Sequence, residues 1–173
     1  MPQTTVNLIQ KVGYEGQLVT DNFASIRGAY RPFYNKTGAL LPYGRIVCLD
    51  TGSKTNLILP NTTGLTPVGI TIFNEYDQGF PLADSTLQGY KDDYLVAVLV
   101  KGAADILVYS STAVDIDDPV YFRHANGVAG NMGVAGLGTV RNSTDADYTL
   151  WSGARFVSKT SGAGIAAINI GGY

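Results

Sequence analysis

Short apolar stretches separated by turn residues repeat along the chain from residue 42 onward. The stretches are rich in β-branched and aromatic residues, which is typical of β-strands. The predicted strands are residues 45–49, 56–59, 68–73, 94–100, 104–109, 119–123, 139–141, 151–158 and 164–170. Short strands at this spacing indicate a β-sandwich or a small barrel.

The strongest local pattern lies between residues 94 and 109. Residues 94–100 are nearly all apolar, Lys101 and Gly102 follow, and residues 104–109 are apolar again. A glycine in a two-residue connection favours a tight turn, so the pattern predicts a β-hairpin. Because its first strand is apolar on both faces, we expect that strand to be buried on both sides or covered by a partner.

The composition strengthens the prediction of an all-β fold. Among 173 residues, Val and Ile total 26, Ser and Thr total 25, and Gly and Pro total 28. The acids are 12 Asp and only 2 Glu, and Asp favours turns whereas Glu favours helix interiors. We therefore predict a single β-sandwich, jelly-roll-like fold or small barrel with little or no helix.

The first 41 residues differ from the rest of the chain. They show no sustained strand or helix period, yet they are rich in aromatic residues and glycine, which argues against a disordered tail. Residues 1–45 contain five basic and two acidic residues, whereas the remainder has an excess of acids. We predict that residues 1–41 are an extended arm that becomes ordered on a surface, and that residues 42–173 form the β-body.

Basic and aromatic residues alternate near the end of this arm. Such mixtures occur where single-stranded nucleic acids stack on rings, but protein interfaces are enriched in the same residue types. The net charge of −2 argues against a strongly basic nucleic-acid binder, so we favour a protein partner. The candidate contact residues are Arg27, Tyr30, Arg31, Phe33, Tyr34 and Lys36.

We expect neither a membrane anchor nor secretion. The longest apolar run, residues 95–100, is far shorter than the roughly 20 residues of a membrane-spanning helix. The first twenty residues lack the apolar centre of a signal peptide.

The residues that could carry catalysis are few. His124 is the only histidine and Cys48 the only cysteine. A serine or cysteine nucleophile with His124 as its base is still an open alternative, because the members of such a pair meet in space and not in sequence. However, no nucleophile motif such as G-x-S-x-G is present. Cys48 lies in the middle of a predicted strand, where a buried, inert thiol is the simpler interpretation. We expect no catalytic site.

Two further patterns resemble ligand-binding loops but are better explained as turns. Asp115, Asp117 and Asp118 cluster before Pro119, but their spacing does not match an EF-hand calcium loop. The glycines at 130, 133, 136 and 138 lack the Lys-Ser/Thr pair and the helix of a phosphate-binding loop. We therefore expect no metal and no cofactor.

Three stretches carry a resemblance to a known family. They are the glycine-flanked residues 13–21, the Leu-Pro-Tyr-Gly-Arg-Ile-Val run at 41–47, and the Asp-Pro-Val-Tyr-Phe-Arg-His run at 118–124. Leu-Gly at 137–138, Ala-Arg-Phe at 154–156 and a C-terminal Gly-Ile-Ala-Ala-Ile strand follow in order. Together they resemble the structural cement (Gp24-like) proteins of tailed-phage heads, and the resemblance covers nearly the whole chain.

The resemblance implies a non-enzymatic cement or decoration protein of the virion. Such a protein is all-β, has an extended arm, and binds the outside of an assembled head at junctions between capsomers. The implied partners are the major capsid protein and further copies of this chain in a homodimer or homotrimer, with no nucleic acid and no membrane. The six candidate contact residues of the arm would then meet the shell, with their bases facing an acidic surface.

Two other functions stay open at the level of the sequence. A phage tail or head-surface adhesin with a carbohydrate-binding module would also be all-β and rich in Tyr, Asn, Asp and Gly. Such a module needs exposed aromatic platforms, and the only tryptophan, Trp151, begins a predicted strand and is expected in the core. An enzyme is less favoured because no acid–base pair with suitable spacing is present.

Overall fold

The protein is all-β, as the sequence predicted. A computed structural model describes residues 15–19, 33–62, 64–73, 89–100, 105–126 and 136–171, and these residues contain 14 strands and no helix. The strands are β1 (Leu18–Val19), β2 (Phe33–Asn35), β3 (Leu41–Pro42), β4 (Ile46–Leu49), β5 (Asn56–Ile58), β6 (Pro67–Thr71), β7 (Gly89–Tyr90), β8 (Leu95–Val96), β9 (Val98–Leu99), β10 (Asp105–Ser110), β11 (Pro119–Arg123), β12 (Val140–Arg141), β13 (Tyr148–Phe156) and β14 (Gly164–Ile170).

Five strands of the C-terminal half form a small closed barrel. Their order is β10-β12-β11-β13-β14, and β14 pairs back with β10 from Asp105↔Asn169 to Ser110↔Gly164. The buried and half-buried positions alternate along β10 and β11, because successive side chains of a strand point to opposite faces. Closure leaves the five-stranded ring without a free edge. We call this unit the first barrel.

The second sheet also closes on itself. Its order is β8-β2-β5-β4-β6-β9, and only Ala97 separates β8 from β9 along the chain. Val96 pairs with Phe33 at one end of the sheet, and Leu99 pairs with Ile70 at the other. One continuous segment, residues 95–99, therefore joins the two ends of the sheet. We call this unit the second barrel.

Two apolar cores follow from this arrangement. The first core fills the first barrel and includes side chains such as Ile46 and Ile70 from the outer face of the second barrel. The second core lies inside the second barrel, where Val47 faces opposite to Ile46 on the same strand. Alternation along β4 thus places consecutive residues in different cores.

A short segment near the N-terminus connects the two barrels. Gly16 donates its N–H to Leu107 of β10 at 2.7 Å and accepts the N–H of Phe73, which follows β6, at 2.8 Å. Leu107 returns a hydrogen bond to Gln17, and β1 continues this pairing alongside β10. We call residues 15–19 the strap, because it is hydrogen-bonded to both barrels.

The strap is anchored by a buried ion pair. Arg45 is completely buried, and its Nη2 lies 3.1 Å from Oε2 of the nearly buried Glu15. Burial raises the pKa of Glu15 and the Arg45 guanidinium opposes this rise, whereas burial lowers the pKa of Arg45 and Glu15 opposes that fall. Each charge therefore offsets part of the desolvation cost of the other.

Two glycines allow the backbone to approach closely at this anchor. A Cβ on Gly16 would lie 2.8 Å from Gly44 N, Phe73 N and Thr71 O, and a Cβ on Gly44 would lie 2.7 Å from Gly16 N. Both glycines also have positive φ, 80° and 67°. Side chains are excluded here by space as well as by backbone conformation.

The predicted hairpin between residues 94–100 and 104–109 is wrong. In the described residues β8 and β9 pair with β2 and β6, whereas β10 pairs with β1, β12 and β14. Both partners of the expected pair are already occupied, since β8 and β9 close the second barrel and β10 closes the first. The apolar segment therefore belongs to one barrel and the following strand to the other.

The described parts of the predicted arm lie in the sheets. β1 pairs with β10, β2 pairs with β5 and β8, and β3 spans the expected boundary between residues 41 and 42. Residues 1–14 and 20–32 of the predicted arm lie outside the described residues.

We predict that Gly16→Ala destabilises the fold by about 2–4 kcal/mol, because the added Cβ meets three backbone atoms in a left-handed conformation. Gly52→Ala is the matched control, since Gly52 has the same φ of 80° and nothing within 4 Å of its Cβ position. It should cost about 1 kcal/mol. Chemical denaturation measures the free energy of unfolding of both variants. An equal loss of stability in the two variants would contradict the close backbone approach at Gly16.

We predict that Arg45→Met costs about 3–5 kcal/mol in the free energy of unfolding, because it leaves the Glu15 carboxylate buried without its cation. The double variant Glu15→Leu with Arg45→Met should be more stable than Arg45→Met alone. A double-mutant cycle by denaturant unfolding measures this coupling. Additive losses would show that the two side chains do not stabilise each other.

Candidate functional site

The paired strands β2 and β8 present two large side chains to solvent. Phe33 pairs with Val96 and Tyr34 with Leu95. Because side chains alternate along a strand, Phe33 and Val96 point into the second core, and Tyr34 and Leu95 are 42% and 55% exposed. Directly opposite side chains on one face of an antiparallel pair are in contact range.

Tyr94 extends this exposed surface. It precedes β8 and is 59% exposed, and the Lys91 ammonium lies 5.9 Å from the centre of its ring. We call Tyr34, Tyr94 and Leu95 the β2–β8 patch. The other large apolar side chains that are exposed within the described ranges are Val19 on β1, Ile116 in the turn before β11, and Leu150 on β13.

The backbone beneath the patch is held by the buried Asn35 amide. Its Nδ2 donates to the carbonyls of Ala39 and Tyr90, and its Oδ1 accepts the N–H and hydroxyl of Thr37. The main chain of Asn35 also exchanges hydrogen bonds with Tyr94 and Asp93. The patch therefore rests on a fixed turn and a fixed strand pair, which lowers the entropy lost on binding.

Charged residues of both signs border the patch. Lys36 forms an ion pair with Asp93, and this contact raises the pKa of Lys36. Asp92 accepts the backbone N–H of Gly38 at 3.0 Å. With Lys91 against the Tyr94 ring, the border carries two positive and two negative charges.

The structure divides the six residues predicted to contact a partner. Tyr34 and Lys36 lie at the patch and its border, whereas Phe33 is only 2% exposed and packs in the second core. Phe33 is thus part of the chain's own interior and is not accessible to a partner in this structure. Arg27, Tyr30 and Arg31 lie outside the described residues.

The sequence did not single out Tyr94 and Leu95 as exposed residues. They begin the apolar run that the sequence predicted to be buried on both faces or covered by a partner. Alternation within the run buries Val96 and Val98 and leaves its first two residues exposed. The sequence feature that marked this segment was its continuous apolar character. That feature alone does not distinguish the exposed positions of a strand from the buried ones.

The two residues considered for nucleophilic chemistry are both buried. Cys48 lies on β4, and burial raises the pKa of its thiol to about 12, so it is protonated at neutral pH. His124 follows β11, and its backbone N–H donates to Asp147 at 2.8 Å. Within the described chain its Nδ1 has no hydrogen-bond partner.

The acidic residues before Pro119 are used in a turn. Asp118 Oδ2 accepts the Asp115 N–H at 2.8 Å and the Asn142 amide at 2.7 Å, and Asp115 forms an ion pair with Lys159. No group of three or more His, Cys, Asp or Glu side chains among the described residues is placed to hold a metal ion. The carboxylates are therefore best explained as turn and ion-pair partners.

Two remaining patterns also have structural explanations. Gly138 has a φ of 75° and approaches the Ile46 carbonyl, to which a Cβ would lie 2.6 Å away. Trp151 is partly buried against the first core. A search of the described ranges for a helix long and apolar enough to cross a membrane finds none.

These features define an all-β protein whose most accessible chemistry is an apolar contact surface on a rigid double barrel. The comparisons with known proteins then identify its family. Residues 2–171 match the model of the structural cement protein family (E217 gp24/Pam3 gp6). The chain therefore belongs to this family of phage structural cement proteins, which confirms the resemblance noted in the sequence. It is a capsid-stabilising structural protein of the virion.

The fold is also found in a solved phage capsid. A chain from the capsid of Myoviridae phage XM1 superposes with a TM-score of 0.65, covers 95% of each chain and is 19% identical. At this identity the likeness shows a shared fold. No curated protein matches the sequence at a significant level.

We predict that Cys48 in the folded protein resists thiol reagents at pH 8. With a pKa of about 12, only about one thiol in 10,000 is ionised at that pH, and burial further limits access. Labelling by a disulfide reagent should be at least ~100-fold slower than in urea-unfolded protein. Equal rates would show that the thiol is exposed and reactive.

Proposed function

We propose that the chain binds the outer surface of a tailed-phage capsid at junctions between capsomers and holds the shell against the internal pressure of packaged DNA. The major capsid protein is the proposed partner. The observation that carries this proposal is the β2–β8 patch, an exposed cluster of two tyrosines and a leucine on a rigid body. Family membership supports the capsid as the place of action.

The chemistry of the patch suits a binding hot spot. Aromatic side chains dominate hot spots because they bury much area at a small entropic cost. Tyr34 and Leu95 are opposite each other on paired strands, so both can enter one partner surface without rearrangement. The charged border can exclude water around this centre, as polar rims do in stable interfaces.

We further propose that the chain acts as a homodimer or homotrimer. One copy bound through one patch buries a modest area, whereas linked copies bind several capsomers at once. Linkage raises the overall affinity without any new contact. Such bridging is what a protein needs in order to resist separation of capsomer edges.

Arg27, Tyr30 and Arg31 of the N-terminal arm are proposed as additional shell contacts. The strap and β2 belong to the folded body, so removal of residues 1–41 would remove strands and the Glu15 partner of Arg45. Alanine substitution of Arg27, Tyr30 and Arg31, which leaves the strap and β2 in place, is therefore the test of these arm contacts.

The proposed role is non-enzymatic and uses no cofactor, metal, nucleic acid or membrane. The alternative of a carbohydrate-binding adhesin is less well supported. Trp151 packs partly against the first core, so the single tryptophan is not a free platform for a sugar ring.

We predict that Tyr34→Ala and Leu95→Ala each weaken binding to heads assembled without this chain by about 10- to 30-fold, because each removes a centre of the patch. Sedimentation with heads, with quantitation of bound chain, measures the affinity. Ile116→Ala is the matched control, since Ile116 is 59% exposed and lies in the turn before β11, outside the patch. Thermal unfolding confirms that all variants fold.

Wild-type affinity in both patch variants would contradict the proposed docking surface. Equal loss in Ile116→Ala would show that the effect is not specific to the patch.

A further inference from the structure

We infer that the β2–β8 patch recognises an apolar, uncharged surface of the shell protein and that its contribution to binding is not electrostatic. This inference rests on the proposed function, because it names the chemistry of the partner at that same site. It replaces, for this patch, the expectation of a basic segment facing an acidic shell.

The charges around the patch are already engaged within the chain. The Lys36 ammonium contacts the Asp93 carboxylate, and Asp92 accepts the Gly38 N–H. The Lys91 ammonium lies against the ring of Tyr94. In the part of the chain that the structure describes, these four groups, two positive and two negative, border the patch and have no net charge.

A charged partner surface would gain little from such a border. To attract an acidic shell surface, Lys36 would have to leave Asp93 and pair with a carboxylate of the partner. This exchange replaces one ion pair by another, and the unpaired Asp93 would then repel the acidic shell. An apolar partner surface needs no exchange, because it covers Tyr34, Tyr94 and Leu95 while the ion pair stays in place. Burial of apolar area is then the source of affinity.

The border gives a charged partner no net attraction. A partner charge of either sign would meet both like and opposite charges, at Asp92 and Asp93 and at Lys36 and Lys91, and these terms offset one another. The affinity of the patch then depends on the area of the apolar centre that the partner covers.

The first test compares binding at two salt concentrations. The affinities of wild type and Tyr34→Ala for heads assembled without this chain are measured at 50 and 500 mM NaCl, and the ratio of the two affinities is taken at each salt concentration. Taking the ratio cancels the salt dependence of contacts elsewhere, including the basic residues of the arm. We expect the ratio to stay at about 10 or more and to change by less than about twofold, because salt screens charge pairs and not apolar contacts. A ratio that falls to about one at 500 mM would overturn the inference.

The second test is a charge cycle on the border. Lys36→Met and Asp93→Asn each remove one member of the ion pair and leave its partner unpaired, whereas the double variant removes both members. We expect each single variant to bind about 3- to 10-fold more weakly and the double variant to recover to within about threefold of wild type. If the double variant binds as weakly as Lys36→Met, the shell uses the Lys36 charge and the inference is wrong. Thermal unfolding of all three variants serves as the folding control.

The outcomes separate this inference from the proposed function. Loss of affinity in Tyr34→Ala with a strongly salt-dependent ratio would keep the docking surface and reject its apolar character. No loss of affinity in Tyr34→Ala at either salt concentration would reject the docking surface, and the inference with it.

Discussion

The buried contact between Glu15 and Arg45 is the constraint on which the rest of the structure depends. It lies where two glycines bring backbone segments closer than any side chain would permit, and it holds the strap against the second barrel. Two charges in an apolar interior are costly alone and tolerable only as a pair. The backbone hydrogen bonds of the strap to Leu107 and Phe73 then connect this anchored segment to both barrels. For a protein that strengthens a shell, rigidity of this kind matters more than chemistry.

The segment that closes the second barrel also carries part of the exposed β2–β8 patch. The segment that joins the ends of the second sheet carries Leu95 outward and Val96 inward, and Tyr94 immediately precedes it. The Asn35 amide and the turn after β2 hold the opposite strand. The patch is thus held in place by the fold itself, and a preorganised surface of this kind loses little ordering entropy in binding.

The thiol and the clustered carboxylates that could have carried chemistry are instead parts of the folded structure. Burial keeps the Cys48 thiol protonated, and the carboxylates before Pro119 serve a turn and an ion pair. What remains accessible is an apolar cluster with balanced charges around it. That distribution agrees with membership of the structural cement family, whose work is contact between proteins.

The sequence by itself determined the all-β class, the positions of most strands and the family resemblance, because β-branched runs, turn residues and motif order are local properties of the chain. It also placed Tyr34 and Lys36 among the contact candidates. The tertiary structure decided which strands pair, and so rejected the hairpin between residues 94 and 109. It also put Phe33 inside the second core and Leu95 outside it. The physical reason is that alternation separates the two faces of a strand but does not say which face will be covered. That depends on partners distant in sequence, as does the meeting of Glu15 with Arg45.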